Sequence, residues 1–469
     1  MNRNNFLIHL ALAIVLILIA AFAGQLNRWR KEWKTRVRVM PVAEKKRPST
    51  AADMALAESR IPGRPELLVK FKSGVSPRTI EELTARFHDR VEDRIENAPG
   101  WQSIDDLDDV NPYLAVAQYL AQPEVEYAEP NFEIHLPEAT KALLPVVHPT
   151  DPRFEDQWAL ANSGQRGGTA GADISAMRAW ATTIGSDKVV VAVLDSGVDY
   201  MHEDLAPNMW KRPASVAPYR DDELGTIDDE DGFNAVDNAA DPMDENGHGT
   251  HCAGIIGAEG GNDIGITGVN WKVRIMPLKF MNAGGFGTTK DAVEAINYVI
   301  DRKKAGVNVR IISASWGSTQ KSRALEDVIR KAYENDILFV AASGNATTNT
   351  DRSPHYPSSY NVPNVVSVAA LDRNDQLARF SNWGVKSVAI AAPGVDILST
   401  WLGNQYEEKS GTSMATPVVS GVAALIVSNN QRISVDELKK RLLASVDPLP
   451  VLKGKVATGG RINAAKALQ

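Results

Sequence analysis

Only one cysteine, Cys252, occurs in the 469 residues, so no intramolecular disulfide can form and surface loops must be held by other means. Positive charge is also short. The net charge is −7 and no basic domain offsets it, which excludes nucleic acid as a partner. Two motifs are missing as well. His248 and His251 stand three apart, as a metal pair on a helix face would, but the glutamate of H-E-x-x-H is absent and no further zinc ligand is apparent. The G-x-S-x-G elbow that an esterase or lipase would carry is absent around Ser413. The chain does have 43% hydrophobic residues, enough for a sizeable core in two domains behind an export segment.

Three segments carry the chemistry. Residues 410–417, Ser-Gly-Thr-Ser-Met-Ala-Thr-Pro, precede an apolar run (Val418, Val419, Val422, Ala423, Leu425, Ile426) that predicts a buried helix. Ser413 then falls at the mouth of that helix, where unpaired N–H groups and the positive dipole end suit an oxyanion. Gly411 permits close approach of backbone to ligand, and Pro417 is expected about one turn in, where its missing N–H costs little. Serine is also a common N-cap, so this stretch alone decides nothing. The second segment, 246–254, is Asn-Gly-His-Gly-Thr-His-Cys-Ala-Gly, and the third is the apolar run 189–194 that ends in Asp195-Ser196-Gly197. An unbroken apolar run predicts a strand buried on both faces, and its carboxyl end opens on the crevice where α/β sheets bind ligands. Acid, imidazole and hydroxyl are the three groups that make a weak alcohol nucleophilic at neutral pH.

In the chain order Asp195, His248, Ser413 these segments resemble the subtilisin family of serine proteases, and residues 341–345, Ala-Ala-Ser-Gly-Asn, resemble its oxyanion segment. The resemblance covers roughly residues 151–469. It implies Ser413 as nucleophile, His248 as base, Asp195 as its orienting acid, and the Asn345 amide opposite the Ser413 N–H as the oxyanion hole. His251 is then a packed structural histidine. Cys252, read from the residues as a small buried hydrophobe, lies close in sequence to the base, as in the thiol-containing branch, which implies sensitivity to mercurials. Ser315, Trp316 and Gly317 resemble the strand that pairs with a protein or peptide substrate, and Gly285, Phe286 and Gly287 the opposing edge. His355 would line the pocket floor, where no carboxylate is placed to favour a basic side chain. Calcium is the implied cofactor. Asp151, Asp204 and Asn262, with the carbonyls of Ile264 and Ile266, resemble the tight site of thermitase-like members. Asn234, Asp237 and Asp241 resemble a weaker one, in which Ala239 replaces an expected acidic ligand.

The N-terminus reads in two ways. Residues 6–23 are almost wholly apolar, follow Arg3 and end in Ala21-Phe22-Ala23, like a signal peptide with its cleavage site. The run is also as long as a short membrane span, and Arg28, Arg30, Lys31, Lys34, Arg36 and Arg38 follow it, like a retained anchor. Residues 24–62 read as a charged linker. In 63–136, an alternating strand (66–72), a helix opened by Ser76-Pro77, a helix over 112–120 and a strand at 125–131 suggest a small α/β sandwich. Its closing Val-Glu-Tyr-Ala-Glu-Pro-Asn is similar to the propeptides of secreted subtilisin-like proteases, which implies an intramolecular inhibitor and chaperone cut off within 137–150. Over 151–469, helices at 291–304 and 322–335 alternate with strands at 309–315, 337–342, 365–369 and 388–391, predicting an α/β fold on a parallel sheet. Residues 461–465 resemble the short helix at which such domains stop, and no third domain is expected. The reading as a whole is an exported, extracellular or cell-envelope serine endopeptidase made as a self-processing zymogen.

Overall fold

The computed structural model describes residues 67–95, 98–108, 111–131, 146–221 and 225–469. The apolar segment 6–23, the linker 24–62 and most of the expected processing segment 137–150 lie outside these residues. The chain divides into two compact units, residues 1–141 and 142–469.

The first unit contains β1 (Leu67–Phe71), a helix Pro77–Arg86, β2 (Asp89–Arg94), β3 (Trp101–Asp106), a helix Pro112–Leu120 and β4 (Val125–Pro130). Its antiparallel sheet has the order β2-β3-β1-β4. Leu67, Val69 and Phe71 alternate inward from β1 against Ile80, Leu83, Ala115 and Tyr119 of the helices. Ser76 and Asn111 cap the two helices, each followed by a proline that needs no N–H partner there. The sequence pattern predicts only two strands here. β2 and β3 escape it because β2, Asp-Arg-Val-Glu-Asp-Arg, is an edge strand with no apolar alternation; its buried residue is Asp89, whose carboxylate accepts the Tyr119 hydroxyl at 2.6 Å.

The second unit begins its sheet with β5 (Gly185–Asp195), then has a hairpin of β6 (Tyr219–Asp221) and β7 (Gly225–Ile227) and the short β8 (Phe233–Asn234). β9 (Lys272–Lys279), β10 (Val309–Ala314), β11 (Leu338–Ala342), β12 (Val365–Leu371) and β13 (Ile390–Pro393) follow. A second hairpin, β14 (Ile397–Trp401) and β15 (Gln405–Lys409), precedes the helix Thr412–Asn429, and β16 (Val446–Pro448) and β17 (Gly460–Ile462) come last. The main sheet has the order β16-β17-β13-β12-β11-β10-β5-β9-β8, parallel except for the β16–β17 pair. From β5 the chain builds first one side of the sheet and then, from β10 outward, the other. Strand order therefore reverses between β5 and β10, and ligands of open α/β sheets bind beyond the carboxyl ends at such a point.

Both faces of the sheet are covered, which is why the strands read as unbroken apolar runs. Val191 and Val193 of β5 face a core shared with the helices His248–Gly257 and Thr412–Asn429. Ala192 and Leu194 face the other core, with the helices Thr289–Lys304 and Arg323–Glu334. Thr412–Asn429 has a mean hydropathy of 1.3, enough to cross a membrane, yet it is 83% buried and serves as the central core helix. The helix expected from residue 291 begins at Thr289, because Thr288 and Asp291 form a reciprocal capping box.

Candidate active site

Asp195 closes β5 and is 1% exposed. Its Oδ1 accepts from the Ser196 N–H at 2.8 Å and meets His248 Nδ1 at 2.7 Å, while its Oδ2 is buried without a hydrogen-bond partner. His248 is the first residue of the helix His248–Gly257. Close approach of that helix to β5 requires glycine at 249, since a Cβ there would lie 2.0 Å from the Gly197 carbonyl oxygen and 3.1 Å from the Asp195 Cβ. Burial alone would lower the His248 pKa; the charge and hydrogen bond of Asp195 outweigh it, with help from Asp244, and hold it above the ordinary imidazole value. Asp244 is a further residue of this site, with a role that no motif marks. The helix has no capping side chain at Gly247, and Asp244 replaces one: Oδ1 accepts the Gly247 N–H at 3.0 Å and Oδ2 the Thr250 N–H at 3.0 Å and hydroxyl at 2.6 Å. A carboxylate three residues before a glycine N-cap is a weak local signal.

Ser413 is the second residue of its helix, where the N–H has no partner inside the helix. Its hydroxyl donates to the Ser315 carbonyl at 2.9 Å and not to His248. Cys252 links the three segments: its Sγ lies within 4.8 Å of the ligand atoms of both Asp195 and His248 and 3.5 Å from the Ser413 carbonyl oxygen. The thiol thus lies beside the acid, the imidazole and the main chain of the serine. Pro417 lies inside the helix, deeper than the first turn expected for it. Its missing N–H leaves the Ser413 carbonyl without its usual i+4 donor, and the Ser315 hydroxyl at 2.9 Å and the Cys252 thiol take that place. Burial pushes the Cys252 thiol well up, so it stays protonated.

Asn345 follows β11. Its Oδ1 accepts both the N–H and the hydroxyl of Thr412, each at 2.9 Å, which fixes which way the amide points. Nδ2 then faces the Ser413 N–H: a Cβ built on Gly411 would lie 3.4 Å from the first and 3.5 Å from the second. The two donors converge on space that a glycine leaves open.

Ser315, Trp316 and Gly317 leave the end of β10, and the Trp316 indole is held by the Leu194 carbonyl at 2.9 Å. Gly285, Phe286 and Gly287 belong to a turn in which Asn282 accepts the Gly284 and Phe286 N–H groups, and the Phe286 ring is 76% exposed. Asn246 ties this turn to the histidine segment by donating to the Ala283 carbonyl at 2.9 Å. His251 does not join His248 at a metal; its Nε2 meets the Glu407 carbonyl at 3.0 Å, and burial drives its pKa down to about 3.

The calcium set fits a hard cation. Asp151 and Asp204 are 4% and 0% exposed, and among the described residues neither is in an ion pair. Asp151 Oδ1 is buried without a partner, and Asp204 accepts from the Ile266 N–H and Asn262 Nδ2 at 3.0 Å each. Burial lifts the Asp204 carboxyl to about 6, with a further push from Asp151, and burial raises Asp151 as well. Two desolvated carboxylates facing one loop are what an oxygen-liganded cation relieves. In the second set, Asn234 donates to Asp237 at 3.0 Å while Asp241 accepts the Tyr200 hydroxyl at 3.1 Å, so these side chains are engaged separately.

Residues 186–461 match the model of the Subtilase family. The chain is 35% identical over 347 residues to the Thermophilic serine proteinase of Bacillus sp. (strain AK1), covering 74% of this chain and 73% of that one. It is also 35% identical over 296 residues to Thermitase of Thermoactinomyces vulgaris, covering 63% of this chain and 94% of that one. A solved protease structure from Pseudoalteromonas arctica PAMC 21717 superposes with a TM-score of 0.55 at 28% identity, over 68% of this chain and 98% of the other. With its doubly covered parallel sheet and these relatives, the chain belongs to the Subtilase family, as a thermitase-like member and a serine endopeptidase.

Proposed function

We propose that this endopeptidase cuts peptide bonds with Ser413 as nucleophile, His248 as general base and then acid, and Asp195 as the group that orients the imidazole. The observation that carries the reading is the 2.7 Å contact between His248 Nδ1 and the buried Asp195 carboxylate. That contact keeps the Nδ1 proton toward Asp195 and leaves Nε2 as the basic atom. The Ser413 hydroxyl turns about its Cα–Cβ bond from the Ser315 carbonyl toward Nε2, gives up its proton, and Oγ attacks the scissile carbonyl. Negative charge then gathers on the carbonyl oxygen, which the Ser413 N–H and Asn345 Nδ2 receive. As the C–N bond breaks, His248 returns the proton to the leaving amine; water enters and the same steps in reverse free the acyl group. The substrate lies extended between the edges at 285–287 and 315–317, bound through its main chain.

In the same reading, residues 63–136 act as intramolecular inhibitor and folding chaperone until self-cleavage within 137–150. The separate core of the first unit supports a part that persists as a folded body. Residues 6–23 direct export, as a cleaved signal or a retained anchor. Asp151, Asp204, Asn262 and the carbonyls of Ile264 and Ile266 would hold calcium, which ties these loops together and takes no part in the chemistry. Ser413→Ala tests the whole scheme. It should abolish peptide cleavage and fluorophosphonate labelling and leave the chain uncut; persistent cleavage refutes the nucleophile, and normal maturation refutes self-processing.

A further inference from the structure

We propose that Lys279 is a positioning residue for His248 and acts through Asp244: its ammonium grips the loop that carries this carboxylate, and the carboxylate holds the start of the histidine helix beside Asp195. The inference rests on His248 as the base, because only then does the placing of that imidazole limit the rate. Lys279 ends β9, the strand beside β5, and the register of the two pairs it with Asp195. It is 5% exposed, and charged side chains are buried that deeply only when paired. Its Nζ donates to the Met243 carbonyl at 2.9 Å and to Glu245 Oε2 at 2.7 Å. Those two residues flank Asp244. The lysine thus holds the loop on both sides of the carboxylate and leaves the carboxylate itself to the helix.

From there the contacts converge on one helix start. Asp244 takes the Asn246 and Gly247 N–H groups on Oδ1, at 2.9 and 3.0 Å, and the Thr250 N–H and hydroxyl on Oδ2. Thr250 is fully buried and fastened further: its hydroxyl accepts the Asp199 N–H at 2.9 Å, and its carbonyl accepts the Thr400 hydroxyl of β14 at 2.8 Å. The loop also lies against the turn after β5, where a Cβ on Gly197 would come within 2.3 Å of the Pro242 carbonyl oxygen and 3.1 Å of the Asp244 nitrogen. His248 is therefore tied to the sheet twice, directly through its 2.7 Å contact with Asp195 and indirectly through the residue paired with Asp195 in the next strand. Two ties from neighbouring strand ends fix where Nε2 points, and proton transfer depends steeply on that placement. Asp244 also adds negative charge beside the ring. The other titratable groups nearby stay out of this balance: burial keeps Cys252 protonated and His251 neutral, and Lys409 of β15 acts on His251.

The test is steady-state kinetics across pH, on a peptide p-nitroanilide, of the mature enzyme and its Lys279→Met, Asp244→Asn and double variants. Methionine keeps the length of the lysine stem and removes the ammonium. Each single variant should lose roughly tenfold or more in kcat while KM moves by less than about threefold, since binding the peptide does not use the imidazole. The double variant should lie within about threefold of the worse single one, because the lysine acts through the carboxylate. In Asp244→Asn the His248 limb of kcat/KM should also move to lower pH, which a merely structural role would leave in place. A kcat within about threefold of wild type in either single variant, or losses carried by KM, overturns the proposal. So do losses that multiply in the double variant, and so does an unmoved limb. If Lys279→Met does not fold, Lys279→Gln takes its place in the same comparison. Failure of the reading beneath it looks different: a His248→Ala protein would then cleave as fast as the wild type.

Discussion

Asn345 has two amide atoms facing two tasks, and substitution can separate them. Oδ1 serves the fold by accepting the N–H and hydroxyl of Thr412, which is fully buried. In the proposed mechanism Nδ2 serves catalysis as an oxyanion donor. Asn345→Ala removes both, so two buried donors lose their partner, at a stability cost of about 1–3 kcal/mol. The same change removes one of two oxyanion donors, and losing one such donor in subtilisin costs about 2.7–4 kcal/mol, or roughly 10²–10³ in kcat. KM should move little, because the charge that the amide meets develops only in the transition state. Asn345→Asp keeps an acceptor for Thr412 and loses only the donor. Its kcat should fall at least as far as that of the alanine variant, while its unfolding midpoint stays closer to wild type. Steady-state kinetics on a peptide p-nitroanilide gives kcat and KM, and urea unfolding in a Ser413→Ala background gives stability without autolysis. An Asn345→Asp enzyme within about threefold of wild-type kcat would refute the assignment, since a carboxylate cannot donate the missing bond.

Two further outcomes follow from the charges. The proposed mechanism needs neutral His248, and because Asp195 holds its pKa up, kcat/KM should rise with pH along a limb centred above the ordinary imidazole value of about 6.5. In Asp195→Asn the residual limb should move to lower pH; a wild-type limb centred below the ordinary value contradicts this. Asp204 has a raised folded pKa of about 6, so without a cation its protonated form is favoured and stability falls as pH rises through that value. Chelation in the Ser413→Ala protein should therefore lower Tm more at pH 8 than at pH 5, with calcium restoring it; equal losses at both pH values would remove the Asp204 account.

The motifs of this chain were legible because each is a local device. Val189 to Leu194 is apolar on both faces and so must be a covered strand, and its polar end must emerge at the sheet's carboxyl edge. Likewise the apolar run after Ser413 must be a buried helix, which puts that serine at its N-terminus. The first unit was half legible. Its edge strand β2 has charged residues where alternation would be sought, and only pairing with β3 makes it a strand. Asp244 was silent for a related reason: its bonds to Gly247 and Thr250 exist only once the histidine helix has formed.

By itself the sequence determined the family and the parallel α/β architecture, and it sets the proposed acid, imidazole, hydroxyl and amide in order along the chain, since periodicity and motif spacing are written there. Tertiary structure alone decided how these groups face one another. That Pro417 frees a carbonyl for Ser315 and Cys252, that Thr412 aims the Asn345 amide, and that His355 lies against Gly317 and Gly344 are contacts between residues far apart in the chain. No pattern along the chain encodes such distances, because they are set by how β5, β10 and β11 line up in one sheet beneath the serine helix.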